Sequence, residues 1–241
     1  MLNAACIVLG GIAGLANKTP LPAARQGMFK VVLGVFTVFF GLRLTWLSLN
    51  GTPLQIAKQL FIVVVSLALG KLLGRLLRLQ KASNRLGQSA RRMMDAARPE
   101  DRSRFTRGFL TCSALFCASP LGILGAVCGG LAVHGEPGEF LYPLAVKGAM
   151  DGLAAMGFVP VFGGGVMLSA VPVLVFQGTI TLLCARFLQP ALGVAEVDSI
   201  HAAGGLLIFC VALIIFELRR IEVTDYLPSL LVAPLLTWWL G

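Results

Sequence analysis

The chain has 241 residues, 57% of them hydrophobic and only 13% charged, with a formal net charge of +9. Soluble domains are about 25% charged, so the composition excludes the two soluble domains that the length alone would allow and points to a membrane protein. Nucleic acid is excluded as a partner, because the basic residues come with no interleaved aromatics and no binding motif.

A helix needs about 20 apolar residues to cross the hydrocarbon. Eight runs are candidates: 3–17, 28–49, 54–77, 108–133, 142–160, 166–188, 202–218 and 226–240, the first and last being short. The N-terminus, "MLNAACIVLGGIAGLANK", lacks a basic leading region, so no cleavable signal peptide is predicted. Lys18, Arg25 and Lys30 follow the first run, and an uncharged "SLNGTP" follows the second. Acidic loops follow the fourth ("HGEPGEF") and sixth ("QPALGVAEVDS"), and Arg219–Arg220 follow the seventh. The positive-inside trend then places both termini outside, in a bacterial cytoplasmic (inner) membrane. The loop after the fifth run is silent, and Arg43 stands on the outer side against the trend.

The third run leads into the most basic part of the chain. From Lys71 to Arg107 there are eleven Lys/Arg and three acids. Leu76, Leu79, Leu86, Met93 and Met94 recur among them at near-helical spacing. This predicts that span three continues as a helix and then lies along the inner surface, against anionic lipid headgroups. A partner-binding helix is the alternative.

The two ends of the chain resemble each other. "MLNAACIVLGGIAGL" is similar to "MLSAVPVLVFQGTITLL" from Met167; each is followed by a span ending near arginine (Arg43; Arg219) and then by a proline-bearing start (Pro53; Pro228). Five crossings separate the copies, an odd number, so they face opposite ways. The expected organisation is a first three-helix repeat (1–78), a basic cytoplasmic amphipathic loop (79–107), two central broken helices (108–165) and a second, inverted three-helix repeat (166–241). Inverted repeats with broken helices at the midplane are common in secondary transporters. The predicted breaks are Pro120, with Ser119 able to cap the second half-helix, and Pro160 with Gly164 in the glycine run that follows.

The fifth run carries Lys147 and Asp151 at i and i+4, on one helix face. Each charge costs about 2.5–3.5 kcal/mol at a helix centre on insertion scales, so the pair should face the bundle interior. Three readings compete: a structural ion pair; an Asp151 that binds a coupling proton or cation, neutralised by Lys147 when empty; and a Lys147 that contacts an anionic substrate while Asp151 holds it. Gln177 beside Gly178, and the repeat-matched Asn3 and Ser169, are further candidates for lining a polar cavity. Gly10, Gly11, Gly14, Gly204 and Gly205 suit close helix packing, and His201 reads as a surface residue.

The six cysteines lie in apolar runs without metal-ligand spacing, so no metal site is expected. There is no cofactor motif, phosphate loop or Ser/His/Asp set. His134 and His201 are both predicted outside without a catalytic partner, so no enzymatic activity is expected.

"FCASPLGILGAV", "VKGAMDGLAAMGF", "GGGVMLSAVPVLVFQGTITLL" and "RIEVTDYLPSLLVAPLL" together resemble the YqgA/YdfK family of bacterial membrane proteins, a domain of unknown function (554). The strongest matches are Lys147, Asp151 and Gly152; Ser169 to Gly178; and the segment around Pro228 and Pro234. The resemblance implies a whole-chain membrane fold and supplies no biochemistry. One position departs from the family pattern: "GAVCGGL" puts Cys128 and Gly129 where Gln-Asp is expected.

The expectation is therefore an all-α polytopic membrane protein of about eight spans, two of them broken, transporting a small polar solute. A carboxylate or other anion would suit Lys147 and a half-helix N-terminus. The expected partners are anionic lipids, a small-molecule or ion substrate and a second copy of the chain. A scaffold or sensor acting through the basic loop is the rival.

Overall fold

A computed structural model of the chain describes residues 2–16, 22–96, 103–131 and 142–240. His134, Lys18, Arg98 and the "HGEPGEF" loop lie outside the described residues. All the regular structure described is helical. In chain order come α1 (Leu2–Ala16), α2 (Ala23–Leu47), α3 (Pro53–Leu76), α4 (Leu79–Asp95), α5 (Arg104–Cys117), α6 (Pro120–Gly130) and α7 (Tyr142–Phe162). They are followed by α8 (Gly165–Leu168), α9 (Ala170–Leu183), a π-helical turn (Cys184–Leu188), α10 (Gln189–Ala191), α11 (Val194–Ile215), α12 (Val223–Tyr226) and α13 (Ser229–Leu240).

Among the described residues, five stretches are long and apolar enough to cross a membrane: α2, α3, α7, the run Gly165–Ala191, and α11. The α5–α6 pair, bent by 56°, makes a sixth if it counts as one span. The terminal α1 and α13 have 15 and 12 residues. At 1.5 Å per residue neither reaches the ~30 Å of hydrocarbon. On length, then, the chain holds five or six spans where the sequence predicts eight.

Local chemistry explains the breaks. Thr52 and Gln55 form a reciprocal capping box with Pro53 in the first turn, which starts α3 sharply after Gly51 at φ +110°. The α3 helix takes in Lys71 and Arg75 of the basic stretch but does not run on through it. It stops at Leu76, Arg78 adopts φ 56°, and α4 begins as a separate helix. That new N-terminus is held from outside: Gln80 N–H donates to Asp225 Oδ1 at 2.7 Å, and Thr224 N–H donates to Gln80 Oε1 at 3.2 Å. A carboxylate on α12 thus satisfies an orphan amide of α4. Further along, Thr111 Oγ1 lies 2.9 Å from Met93 Sδ, tying α4 to α5.

The α5–α6 break falls where predicted: α5 ends at Cys117 and Pro120 opens α6. The predicted second break does not occur at its proline. α7 runs helically through Pro160 to Phe162, and the break comes at the Gly163–Gly164 turn, with Gly163 at φ +71° and Gly164 as the N-cap of α8. A mid-helix proline frees the carbonyl four residues back, here that of Met156. That oxygen lies against α1, only 2.5 Å from where a Cβ on Gly14 would stand. The helix nonetheless continues, with Gly14 of α1 packed against that carbonyl.

The helices pack by close backbone approach, and their directions can be read from it. α1 and α7 run parallel, with Gly10 against Gly152 and Gly14 against Met156. A Cβ on Gly10 would stand 1.9 Å from Gly152 O, so only glycine fits. α2 and α11 run antiparallel through Gly41 and Gly205, with Thr45 Oγ1 donating to Ala202 O at 3.3 Å. α3 and α13 are antiparallel, Lys58 Nζ reaching Leu240 O and Gly70 lying against Ser229. α6 and α9 are parallel, bridged by Thr181 Oγ1 donating to Ala126 O at 3.1 Å.

Candidate functional site

Four segments converge on Lys147 and Asp151: α1, the α5–α6 bend, α7 and α9. Both residues are buried, at 3% and 5% exposure, and Lys147 Nζ donates to Asp151 Oδ1. The helical i,i+4 spacing alone puts them in reach; the surrounding packing takes them out of solvent. Among the described residues, Asp151 Oδ1 is the ammonium's hydrogen-bonding partner. Its other neighbour is an aromatic face, with Nζ 5.6 Å from the centroid of Phe116 at the end of α5.

Asn3 and Gln177 close the site from α1 and α9. Asn3 Nδ2 donates to Gln177 Oε1 at 3.2 Å across 174 residues of sequence, and Asn3 also faces the Asp151 carboxylate. An amide–amide bond uses one oxygen and one nitrogen, so one acceptor and one donor remain whichever way round the groups sit. The remainder is visible: among the described residues, Asn3 Oδ1, Gln177 Nε2 and Asp151 Oδ2 are buried without a hydrogen-bond partner. Each such group costs about 1–3 kcal/mol when left unsatisfied. Three such atoms meet at this one junction.

The bend supplies the last wall. Gly122, one turn into α6, lies opposite the two polar side chains; a Cβ there would stand 2.7 Å from Gln177 Nε2 and 3.4 Å from Lys147 Cε. Gly122 and Phe116 were not singled out in the sequence, although both flank the Ser119–Pro120 signal that was. The ionisable groups facing the pair from other helices are Cys6 on α1 and Cys112 and Cys117 on α5.

The remaining predicted site residues divide. Ser119 occupies the N-cap position of α6, but its hydroxyl makes no cap bond; the first turn is closed by Gly122 and Ile123 N–H donating to the Ser119 carbonyl. Ser169 is fully buried, yet donates to Val166 O at 2.5 Å within its own turn, two turns away from Gln177. Gly178 faces open space and brings no backbone close. His201, read as a surface residue, is in fact 2% exposed, and Asp198 one turn before it is buried too; both are engaged in interactions. Their burial follows from α11 lying at the centre of the bundle, which a single sequence does not reveal. Cys128, at the position that departs from the family pattern, is fully buried nearly two turns beyond Gly122 and packs near Gly204 of α11.

As potential ligands the site offers two oxygens, one carboxylate and one amide. Among the described residues no group of three His, Cys, Asp or Glu could hold a metal ion.

No solved structure matches the chain. Among curated proteins, the "Uncharacterized membrane protein YdfK" of Bacillus subtilis (strain 168) is 28% identical over 234 residues, covering 97% of this chain and 93% of that one. The "Uncharacterized protein YqgA" of Escherichia coli (strain K12) is 28% identical over 240 residues, covering 99% and 95%. The family model described as "Protein of unknown function (DUF554)" matches residues 1–238. With five stretches among the described residues long and apolar enough to cross a membrane and a match over nearly its whole length, this membrane protein belongs to the DUF554 family.

Proposed function

We propose that the protein is a small secondary transporter that carries a small polar solute across the bacterial inner membrane by alternating access around the Lys147–Asp151 site. The observation that carries this reading is the convergence of a buried ion pair and three partnerless polar atoms on a helix bend. Intramembrane ionisable groups of this kind characteristically line solute or ion pathways, and broken helices mark binding sites in transporters.

The helix directions support eight alternating crossings, with α1 and α13 as short terminal members. In an alternating order, segments one and five are parallel, four and six parallel, one and six antiparallel, two and seven antiparallel, three and eight antiparallel. The observed pairs α1/α7, α6/α9, α1/α9, α2/α11 and α3/α13 agree. The inverted repeat has support of its own. If Met1 corresponds to Met167, the Gly11–Met167 contact maps within two residues onto the Asn3–Gln177 contact, as two-fold related copies require. Both termini outside, and assembly as a homodimer, belong to the same reading.

Reconstitution tests it. Proteoliposomes challenged with amino acids, carboxylates, sugars and inorganic ions should accumulate at least one class, and Asp151→Asn should abolish that uptake. Absence of flux for every class, with the variant indistinguishable from wild type, would overturn the reading.

A second reading rests on α4, whose exposed Lys81, Arg85, Arg91 and Arg92 suit a scaffold or sensor that reads anionic lipid or a partner. Under it, neutralising those residues removes function while Asp151→Asn does not.

A further inference from the structure

We propose that α2 and the end of α11 form a binding site for one anionic phospholipid, with Arg43 on its phosphate and an acyl chain in the groove alongside. The site uses none of the residues around Lys147 and Asp151. It does not rest on the transport reading, only on α2 crossing the membrane.

The groove has the dimensions of a lipid chain. It encloses about 1060 Å³ along α2. Val35, Phe39, Leu42 and Trp46 follow one another at i, i+4, i+7 and i+11, so they share a helix face, and all four are exposed. Phe216, the residue that ends α11, lies on Gly34 and stands at the Val35 end. From Val35 to Trp46 the helix rises about 16 Å. One leaflet is half of the ~30 Å of hydrocarbon, about 15 Å. The groove is thus one leaflet long, on a helix that is itself long and apolar enough to span.

Charge names the head group. Arg43 lies on the same face, one turn past Phe39, and is exposed. Its guanidinium stands 6.0 Å from the centre of the Phe39 ring. An arginine and an exposed tryptophan near a helix end suit headgroup depth. Arg43 runs against the positive-inside trend, so orientation does not explain it. At the far end of α2, Lys30 has the carboxylate of Glu217. Among the described residues that line the groove, none is acidic. The guanidinium's fork of five N–H donors can take a phosphate bidentately beside the contacts it makes within the protein.

The same charge argues against a second copy of the chain as the occupant. A two-fold contact lays one patch on itself, and here it would desolvate an arginine on each side with no carboxylate from the lining. A zwitterionic lipid brings its own cation beside the phosphate. An anionic one brings none, so it is the class that Arg43 selects.

The test uses purified full-length protein, both as wild type and with Lys81, Arg85, Arg91 and Arg92 changed to glutamine, which removes the lipid held by α4. Nanodiscs of mixed phosphatidylglycerol and phosphatidylcholine supply the lipid. Native mass analysis counts what is retained, and thermal unfolding with added phosphatidylglycerol measures affinity. One phosphatidylglycerol should stay bound in both backgrounds. Arg43→Gln should weaken its binding about fivefold, the worth of one basic residue at a membrane surface. Val35→Trp fills the groove away from the charge and should displace the lipid with Arg43 intact. Both side chains are exposed, and an unchanged Tm without added lipid checks that both variants fold.

Equal retention of phosphatidylglycerol by wild type and Arg43→Gln overturns the headgroup site. Retention untouched by Val35→Trp overturns the groove as the place of the chain. Equal stabilisation by inorganic phosphate would make this an anion site without a lipid and overturns the proposal too. So does a dimer that Val35→Trp dissociates, since a second copy would then be the occupant. Solute uptake is not among the readouts, so this proposal and the transport reading fail separately.

Discussion

Removing one member of the Lys147–Asp151 pair tests whether it is truly buried and charged. Asp151→Asn leaves the Lys147 ammonium with no compensating charge, since its other neighbour is the Phe116 ring. Breaking a buried ion pair in this way costs about 3–5 kcal/mol, against about 0.3–0.5 for an exposed i,i+4 pair. For a chain of this length, about 2–4 °C of Tm accompanies each kcal/mol, so the loss should be roughly 6–20 °C. The double change Lys147→Met with Asp151→Leu removes both charges together and fills similar volume. Such replacements are neutral or stabilising by about 1–4 kcal/mol, so the double variant should melt at or above wild type while losing uptake. Thermal unfolding in detergent, read by intrinsic fluorescence, measures wild type, the double variant, its two singles Lys147→Met and Asp151→Leu, and Asp151→Asn. Singles that shift Tm by less than about 2 °C would show the pair to be solvated, at under 1 kcal/mol. A double variant that melts below both singles would show the pair to be a fold requirement rather than a functional device.

Two further outcomes follow from the packing. Gly10→Ala would place a Cβ 1.9 Å from Gly152 O, backbone against backbone, and should destabilise by about 1–3 kcal/mol despite alanine's better helix propensity. Gly178→Ala meets nothing within 4 Å and should be neutral or stabilising by up to about 1 kcal/mol; the two Tm values check both. Changing Lys81, Arg85, Arg91 and Arg92 to glutamine should weaken retention of anionic over zwitterionic lipid in nanodiscs, each contributing about 1 kcal/mol, as lipid mass analysis would measure.

Sequence reasoning reached the features that depend on nearby residues. The proline-bearing start of α3, the Ser119–Pro120 break and the shared face of Lys147 and Asp151 are all local, and all are found. It failed where a distant helix decides. Pro160 is a helix breaker by its own chemistry, yet Gly14 of α1 lies against the carbonyl it frees and the helix runs on. Asn3, a candidate for a polar cavity or a bond across helices, does bond across to Gln177, whereas Ser169 bonds within its own turn. His201 looked peripheral because its place along the chain was near a loop; the position of α11 among other helices made it core. At the ends the predicted runs are short, and so are the helices that form there, α1 and α13.

The arrangement around the pair separates what is fixed from what is lightly joined. α1 and α7 meet backbone to backbone at Gly10 and Gly152, the latter next to Asp151. α6 and α9 are joined by the Thr181–Ala126 bond and by Gly130 lying against Thr181. Between these two units the polar contact at the site is the Asn3–Gln177 amide bond, with Lys147 close to Gly122 and Gly125 of α6 packed on Leu144 of α7. A single amide bond nets about 0.5–1.5 kcal/mol. Under the transport reading, motion of one unit against the other would open at the pair. Asp151 and Lys147 would stay with α1 and α7, and Gln177 and Gly122 would leave with the other unit. Under the transport reading proposed above, such a motion would expose the Lys147–Asp151 pair without disturbing the packing that holds the fold.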